Sequence, residues 1–196
     1  MQLLLDHIAS IGIAGLILLS LLVLHERGGD ASIEATQFHT AKTRMLSLAE
    51  MVERDFTNIG SGVDSVQFAI TKLDTVSVPA TFAFQARTDT ADASPHAVVY
   101  EWEADGSVEI GDSTYSTYSV KRIINGTTSG WSSGSITSFS IAMFGAAGNQ
   151  ITTNYADTRI ITVSVSAVST VGVGEKIEQS DWDRTFRPMN LTRTLN

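Results

Sequence analysis

The chain contains no cysteine. Disulfide staples, thiolate metal sites and a cysteine nucleophile are therefore excluded. Lysine is scarce, occurring as Lys42, Lys72, Lys121 and Lys176, and there is no run of Lys or Arg. With 21 acidic against 13 basic residues and a formal net charge of -8, general nucleic-acid binding is not expected, the C-terminal region included. No basic residue precedes Arg27, so the charged start of a secretory signal peptide is missing. Motifs that carry chemistry are missing too: there is no HExxH, GxSxG, P-loop or GxGxxG, and Gly172-Val173-Gly174 is too short to count. His7, His25, His39 and His96 lie in four different contexts, and no Ser, His and acid are grouped. Asp89 and Asp92, or Asp105, Glu109 and Asp112, have the charge for calcium, but neither spacing matches an EF-hand loop, and solvated turn acids are the simpler reading. No catalytic, cofactor or metal residue is expected, and an enzyme is the least supported class.

What the chain does have begins at its N-terminus. Ile8 to Leu24 is a run of seventeen residues without a formal charge. Leu3, Leu4 and Leu5 extend it, interrupted by Asp6 and His7, to 22 positions. A membrane-spanning helix needs roughly 20 apolar residues. A signal peptide, a single-pass anchor and the core helix of a polymer are the competing readings. The segment after Leu24, HERGGDAS, offers the first of these no cleavage site of the usual kind. Gly12 and Gly15 would let helices approach closely, although glycine is also simply common in membrane helices.

Gly28-Gly29 reads as a hinge or break, with Asp30 or Ser32 capping a second helix and Glu34 in its first turn. From Ile33 the apolar positions settle into spacings of three and four through Met45, Leu48, Val52, Phe56 and Ile59. Leu48, Val52 and Phe56 form the expected docking side, and Glu50 and Arg54 an i,i+4 ion pair. Gly60-Ser61-Gly62 ends the helix. A continuous helix from Leu3 to Ile59 would be about 85 Å long at 1.5 Å per residue. So long a helix must project from a small domain and find another partner.

After Gly62 the pattern turns strand-like. Strands are expected at Val63 to Leu73, Thr81 to Arg87, Ala97 to Glu103, Ser107 to Ile110, Tyr115 to Ile124, Ile136 to Phe144, Thr158 to Val168 and Asp181 to Arg187. Asp105-Gly106 and Asn125-Gly126 read as turns, Gly126 to Gly134 as an exposed loop, and Pro188 as the stop of the last strand. Short connections imply an antiparallel sheet. Tyr100, Trp102, Tyr115, Tyr118, Trp131 and Trp182 suit a sheet core better than a binding surface. The fold class is α+β: a hydrophobic helix at 1–30, an amphipathic continuation at 31–62 and a β-rich head at 63–196.

A membrane-type helix running into an amphipathic helix, followed by a strand-rich domain, resembles the plan of type IV pilins and pseudopilins. Asp6 is similar in placement to the acidic residue that pilins carry near the mature N-terminus, one position further in and Asp in place of the usual Glu. The stretch ERDFTNIGSG (Glu53 to Gly62) and the ending RTFRPMNL (Arg184 to Leu191) resemble that family loosely. The resemblance implies that Asp6 pairs with the free α-amine of a neighbouring subunit, which is Met1 if Met1 begins the mature chain. It implies core packing through Leu3, Leu4, Leu5, Ile8, Ile11, Gly12, Gly15, Leu18 and Leu22. The implied partners are other copies of the chain, the inner membrane before assembly and a pilus assembly machinery, with the filament then outside the cell. A minor pseudopilin of a secretion or DNA-uptake system and a non-polymerising membrane-anchored binding protein are the alternatives.

Overall fold

A computed structural model describes residues 2–64, 69–87, 94–110, 112–168 and 179–191, without the side chains of residues 2–9, 110, 131 and 133. One helix, α1 (Gln2–Thr57), precedes seven strands: β1 (Ile70–Asp74), β2 (Ala80–Ala86), β3 (His96–Ile110), β4 (Ser113–Ile124), β5 (Thr127–Phe144), β6 (Ile160–Val168) and β7 (Gln179–Phe186). The strands form one antiparallel sheet in the order β1-β2-β3-β4-β5-β6-β7, so each pairs with its neighbours in sequence. The fold is α+β, a long helix packed on an antiparallel sheet.

The helix does not break at Gly28-Gly29, and neither Asp30 nor Ser32 caps a second helix. Each glycine costs about 1 kcal/mol against alanine. Propagation from ordered turns on both sides adds one hydrogen bond per residue fixed and needs no new nucleus. Threonines in this segment satisfy their hydroxyls within the helix. Thr36, Thr40 and Thr43 each donate to the carbonyl four residues back, at 2.8, 2.9 and 2.7 Å. Polar side chains also finish the helix: Thr57 Oγ1 donates to Glu53 O at 2.7 Å and Asn58 Nδ2 to Arg54 O at 2.9 Å. The chain then turns through Gly60 and Gly62 at φ of +77° and +78°, which L side chains rarely adopt. Arg54 lies 3.7 Å from Asp55 Oδ1, an ion pair in place of the one expected with Glu50.

Leu48, Val52 and Phe56 are buried, and the Phe56 ring sits at the centre of the core. Its centroid lies 5.3 Å from Phe82, 5.5 Å from Phe84, 5.7 Å from Tyr100 and 5.4 Å from Phe186. Phe82 is on β2 and Phe186 on β7, five strand spacings apart. In a flat sheet that separation would be about 24 Å. Both rings touch one helical side chain, so the sheet curls around the end of α1. Irregular registers in β1–β2, β3–β4, β4–β5 and β5–β6 supply bends of the kind this curvature needs. The loop between β5 and β6 reaches the opposite edge, where the Tyr155 hydroxyl bonds both the amide and the carbonyl of Leu73 at 3.3 Å.

Asp105-Gly106 is not a turn. It lies inside β3, where the register shifts between Ala104 and Gly106, and the pairing with β4 runs on to Ile110 opposite Ser113. Gly106 does not take the left-handed conformation a tight type I′ turn requires. The Asp105 carboxylate instead accepts from Thr117 Oγ1 of β4 at 3.0 Å. The segment Gly126 to Gly134 is not a loop either, since β5 starts at Thr127. Asn125 (φ 48°) and Gly126 (φ 80°) both lie in the left-handed region, as a type I′ turn demands, and this fixes the pairing of Thr127 with Ile124. Gly130, opposite Arg122, lets the strand pass close to α1: a Cβ there would lie 2.5 Å from Met51 Sδ. Expected strand residues 65–68 and Gly172-Val173-Gly174 lie outside the described residues, and β1 begins at Ile70.

Gly60→Ala places a side chain at positive φ, with the Ala69 and Asn190 Cβ atoms 3.2 Å away. The expected loss is about 1–2 kcal/mol. Thermal melts of the full chain in detergent check it, with Gly126→Ala, whose Cβ meets nothing within 4 Å, separating strain from crowding.

Candidate functional site

The candidate site is the part of α1 that the head does not cover. Among the described side chains of α1, Ala41 is the first to be buried. Residues 2–36, ahead of the first helix residue that lines a groove with the head, extend about 53 Å at 1.5 Å per residue. Ile11, Leu18 and Leu22 are 69%, 68% and 67% exposed, and Ile13, Leu16, Ile17, Leu19, Leu21 and Leu24 are exposed as well. Consecutive positions point in all directions around a helix, so this surface is apolar on every side. Ser20, the polar residue within it, donates its hydroxyl to Leu16 O at 2.9 Å and so carries its own partner into an apolar surrounding. Nothing lies within 4 Å of a Cβ built on Gly12 or Gly15. Met1 and the side chains of Leu3, Leu4, Leu5, Asp6 and Ile8 lie outside the described residues. Among the described residues, α1 is the one helix long and apolar enough to cross a membrane.

The other end of α1 is held by a polar joint inside the core. Asp55 is on the buried face, and both its oxygens are used. Tyr100 donates its hydroxyl to Asp55 Oδ2 at 2.7 Å. Arg122 donates Nε to the same oxygen and Nη2 to Oδ1 at 2.7 Å, a two-pronged pair. Its remaining Nη1 donates to Ser129 Oγ at 3.0 Å. The joint thus links α1 to β3, β4 and β5. Burial pushes the Tyr100 hydroxyl well above its ordinary pKa, and the Asp55 charge adds to the rise. For Arg122, burial works against the charge, but hydrogen bonding to Asp55 and its negative charge outweigh this and raise the pKa. A saturated cluster of this kind holds geometry.

Asp55 lies in the stretch Glu53 to Gly62, of which only Phe56 was expected on the docking side. Two signals were available. Asp55 falls three residues after Val52 and four before Ile59, on the apolar stripe. Arg122 shares its strand face with Tyr118 and Val120, an inward position. Of the aromatic residues, Tyr100 and Trp102 are in the core, Tyr118 and Trp182 pack against it, and the Trp131 side chain lies outside the described residues.

A groove of about 290 Å³ opens where α1 enters the head, lined by Gln37, Thr40, Ala41 and Arg44 of the helix and Ser135 of β5. A second, of about 430 Å³, adjoins it along Thr36, His39, Thr40, Thr43 and Arg44. Ser135 is 1% exposed, and its Oγ has no hydrogen-bond partner among the described residues. No group of three His, Asp or Glu side chains suited to a metal ion is gathered among the described residues. Comparison of the chain with protein-family models, curated proteins and solved structures gives no match.

Removing one partner of a buried ion pair typically costs about 3–5 kcal/mol. Asp55→Ala is therefore expected to destabilise the head by that amount. Replacing both partners, as Asp55→Leu with Arg122→Met, is expected to recover most of it. Thermal melts of the full chain in detergent distinguish the two outcomes. The pH dependence has a definite sign. Tyr100 holds its proton more tightly when folded than when unfolded, so its contribution is complete below about pH 10 and is lost as pH rises above it. Melting temperatures measured from about pH 8 to about pH 11 should fall more steeply for the wild type than for Tyr100→Phe.

Proposed function

We propose that the protein is a structural subunit of a type IV pilus-like filament that polymerises through its N-terminal helix. The observation that carries this reading is the segment Ile11 to Leu24, exposed and apolar on all sides and far from the head. Exposed apolar surface of this extent needs lipid or other protein. The apolar stretch of 22 positions is about 33 Å long as a helix, close to the roughly 30 Å hydrocarbon thickness of a bilayer. The monomer would sit in the inner membrane by this stretch. Assembly would exchange lipid contacts for helix–helix contacts, with Gly12 and Gly15 permitting close approach. Asp6 would pair with the α-amine of Met1 on a neighbouring copy and so set the axial register, because a carboxylate in an apolar core requires a partner. The heads would form the outer surface. The buried joint is compatible with this reading, since it ties the helix to three strands of the head.

The length match to a bilayer equally favours a membrane-anchored protein that does not polymerise. Electron microscopy of filaments sheared from cells, with mass spectrometry of the subunit, separates the two. Long filaments built of this chain are expected; recovery in the membrane fraction alone would sink the filament reading. Asp6→Ala is expected to lower filament yield at least about tenfold, because one member of a buried pair is left unmatched. In a plain anchor the same change would be almost silent.

A further inference from the structure

The bare part of α1 between the apolar segment and the head carries Glu26, Asp30 and Glu34 at spacings of four, one above another on one face. Like charges at this spacing repel, so the stripe favours a cation beside it. Among the described residues none of the three has an ion pair within the chain. This stripe continues the line of Gln37, Ala41, Met45 and Leu48, the face that enters the head. It therefore points into the space directly below the head, along the helix.

At the lower rim of the head lies the groove of Gln37, Thr40, Ala41, Arg44 and Ser135. Arg44 is exposed and makes no ion pair within the chain among the described residues. Ser135 is buried, and its hydroxyl lacks a partner there. The exposed guanidinium lining this groove suits a carboxylate, to which it supplies charge and two donors.

We propose that in the polymer this groove receives the stripe Glu26, Asp30 and Glu34 of a second copy of the chain. The inference rests on the filament reading. A copy displaced toward the N-terminal end brings its Arg44 level with Glu34, Asp30 or Glu26 of the first at offsets of about 15, about 21 or about 27 Å. Its head then occupies the space below the first head and covers the stripe. The net charge of -8 over the whole chain disfavours self-association, and this contact sets a cation against acids that contribute to that charge.

The absence of cysteine makes a direct test possible. Three full-length variants pair Arg44→Cys with Glu34→Cys, Asp30→Cys or Glu26→Cys and are assembled into filaments, oxidised and resolved on denaturing gels. Within one helix the nearest of these pairs is about 15 Å apart, too far for a disulfide, which needs Cα atoms within about 7 Å. A ladder of covalent multimers from one pair, and none from the single variants, is the expected result, and the pair that reacts gives the axial offset. Arg44→Glu should then lower filament yield about tenfold, and reversing the reacting acid to Lys in the same chain should restore it. The melting temperature of the Arg44→Glu monomer in detergent should be unchanged. Paired variants that form filaments without any of the three cross-linking, or an Arg44→Glu chain that assembles at wild-type yield, overturn the contact and leave the filament reading standing. A wild-type chain that forms no filament overturns both.

Discussion

A carboxylate buried on the docking face of a helix has to be matched, and the Asp55 carboxylate is matched in one way. Its two oxygens receive Arg122 from β4 and Tyr100 from β3. A helix sliding by one turn moves about 5.4 Å, and a rotation of one residue turns it by about 100°. Either movement strands Asp55 and Arg122 as unpaired buried charges. The rings around Phe56 provide the apolar burial, but contacts among rings are far less directional than a two-pronged ion pair. Apolar packing therefore drives the helix into the sheet, and the ion pair selects the register in which it stays.

That division explains why one helix can serve two environments. From Ala41 onward α1 belongs to the head, with Phe56 touching rings of both the second and the last strand. Before Ala41 it is a bare rod with an apolar half and a polar half. The apolar half has no stripe to orient it, consistent with lipid or with neighbours on every side. The polar half keeps its threonine hydroxyls bonded to its own carbonyls and leaves its acids outward. An exposed ion pair between Glu53 and Arg184 at 2.9 Å adds a link to the last strand, worth at most about 1 kcal/mol.

Much of this was legible in the sequence because it depends on local chemistry. The apolar run, the three-and-four spacing from Met45 to Ile59, the glycines that end the helix, the Asn125-Gly126 turn and the β-branched run of β6 each state their conformation within a few residues. The absence of cysteine and the scarcity of basic residues narrowed the chemistry. Tertiary structure decided what depends on distant partners. Asp105-Gly106 has the composition of a turn, but β4 pairs along the full length of β3 and absorbs it as a bulge. The serines and glycines after Asn125 have the composition of a loop, but the turn before them sets them against β4 and Gly130 fits beneath Met51. Gly28-Gly29 has the composition of a hinge, but ordered helix on both sides carries it through. Asp55 and Arg122 stand 67 residues apart, and only the docking of α1 on the sheet brings them together. The sequence by itself determined a projecting apolar helix and a β-rich head, because periodicity and composition are local. Where the helix docks, and on which charge, was decided by the fold, because a buried ion pair has no meaning until both partners share one interior.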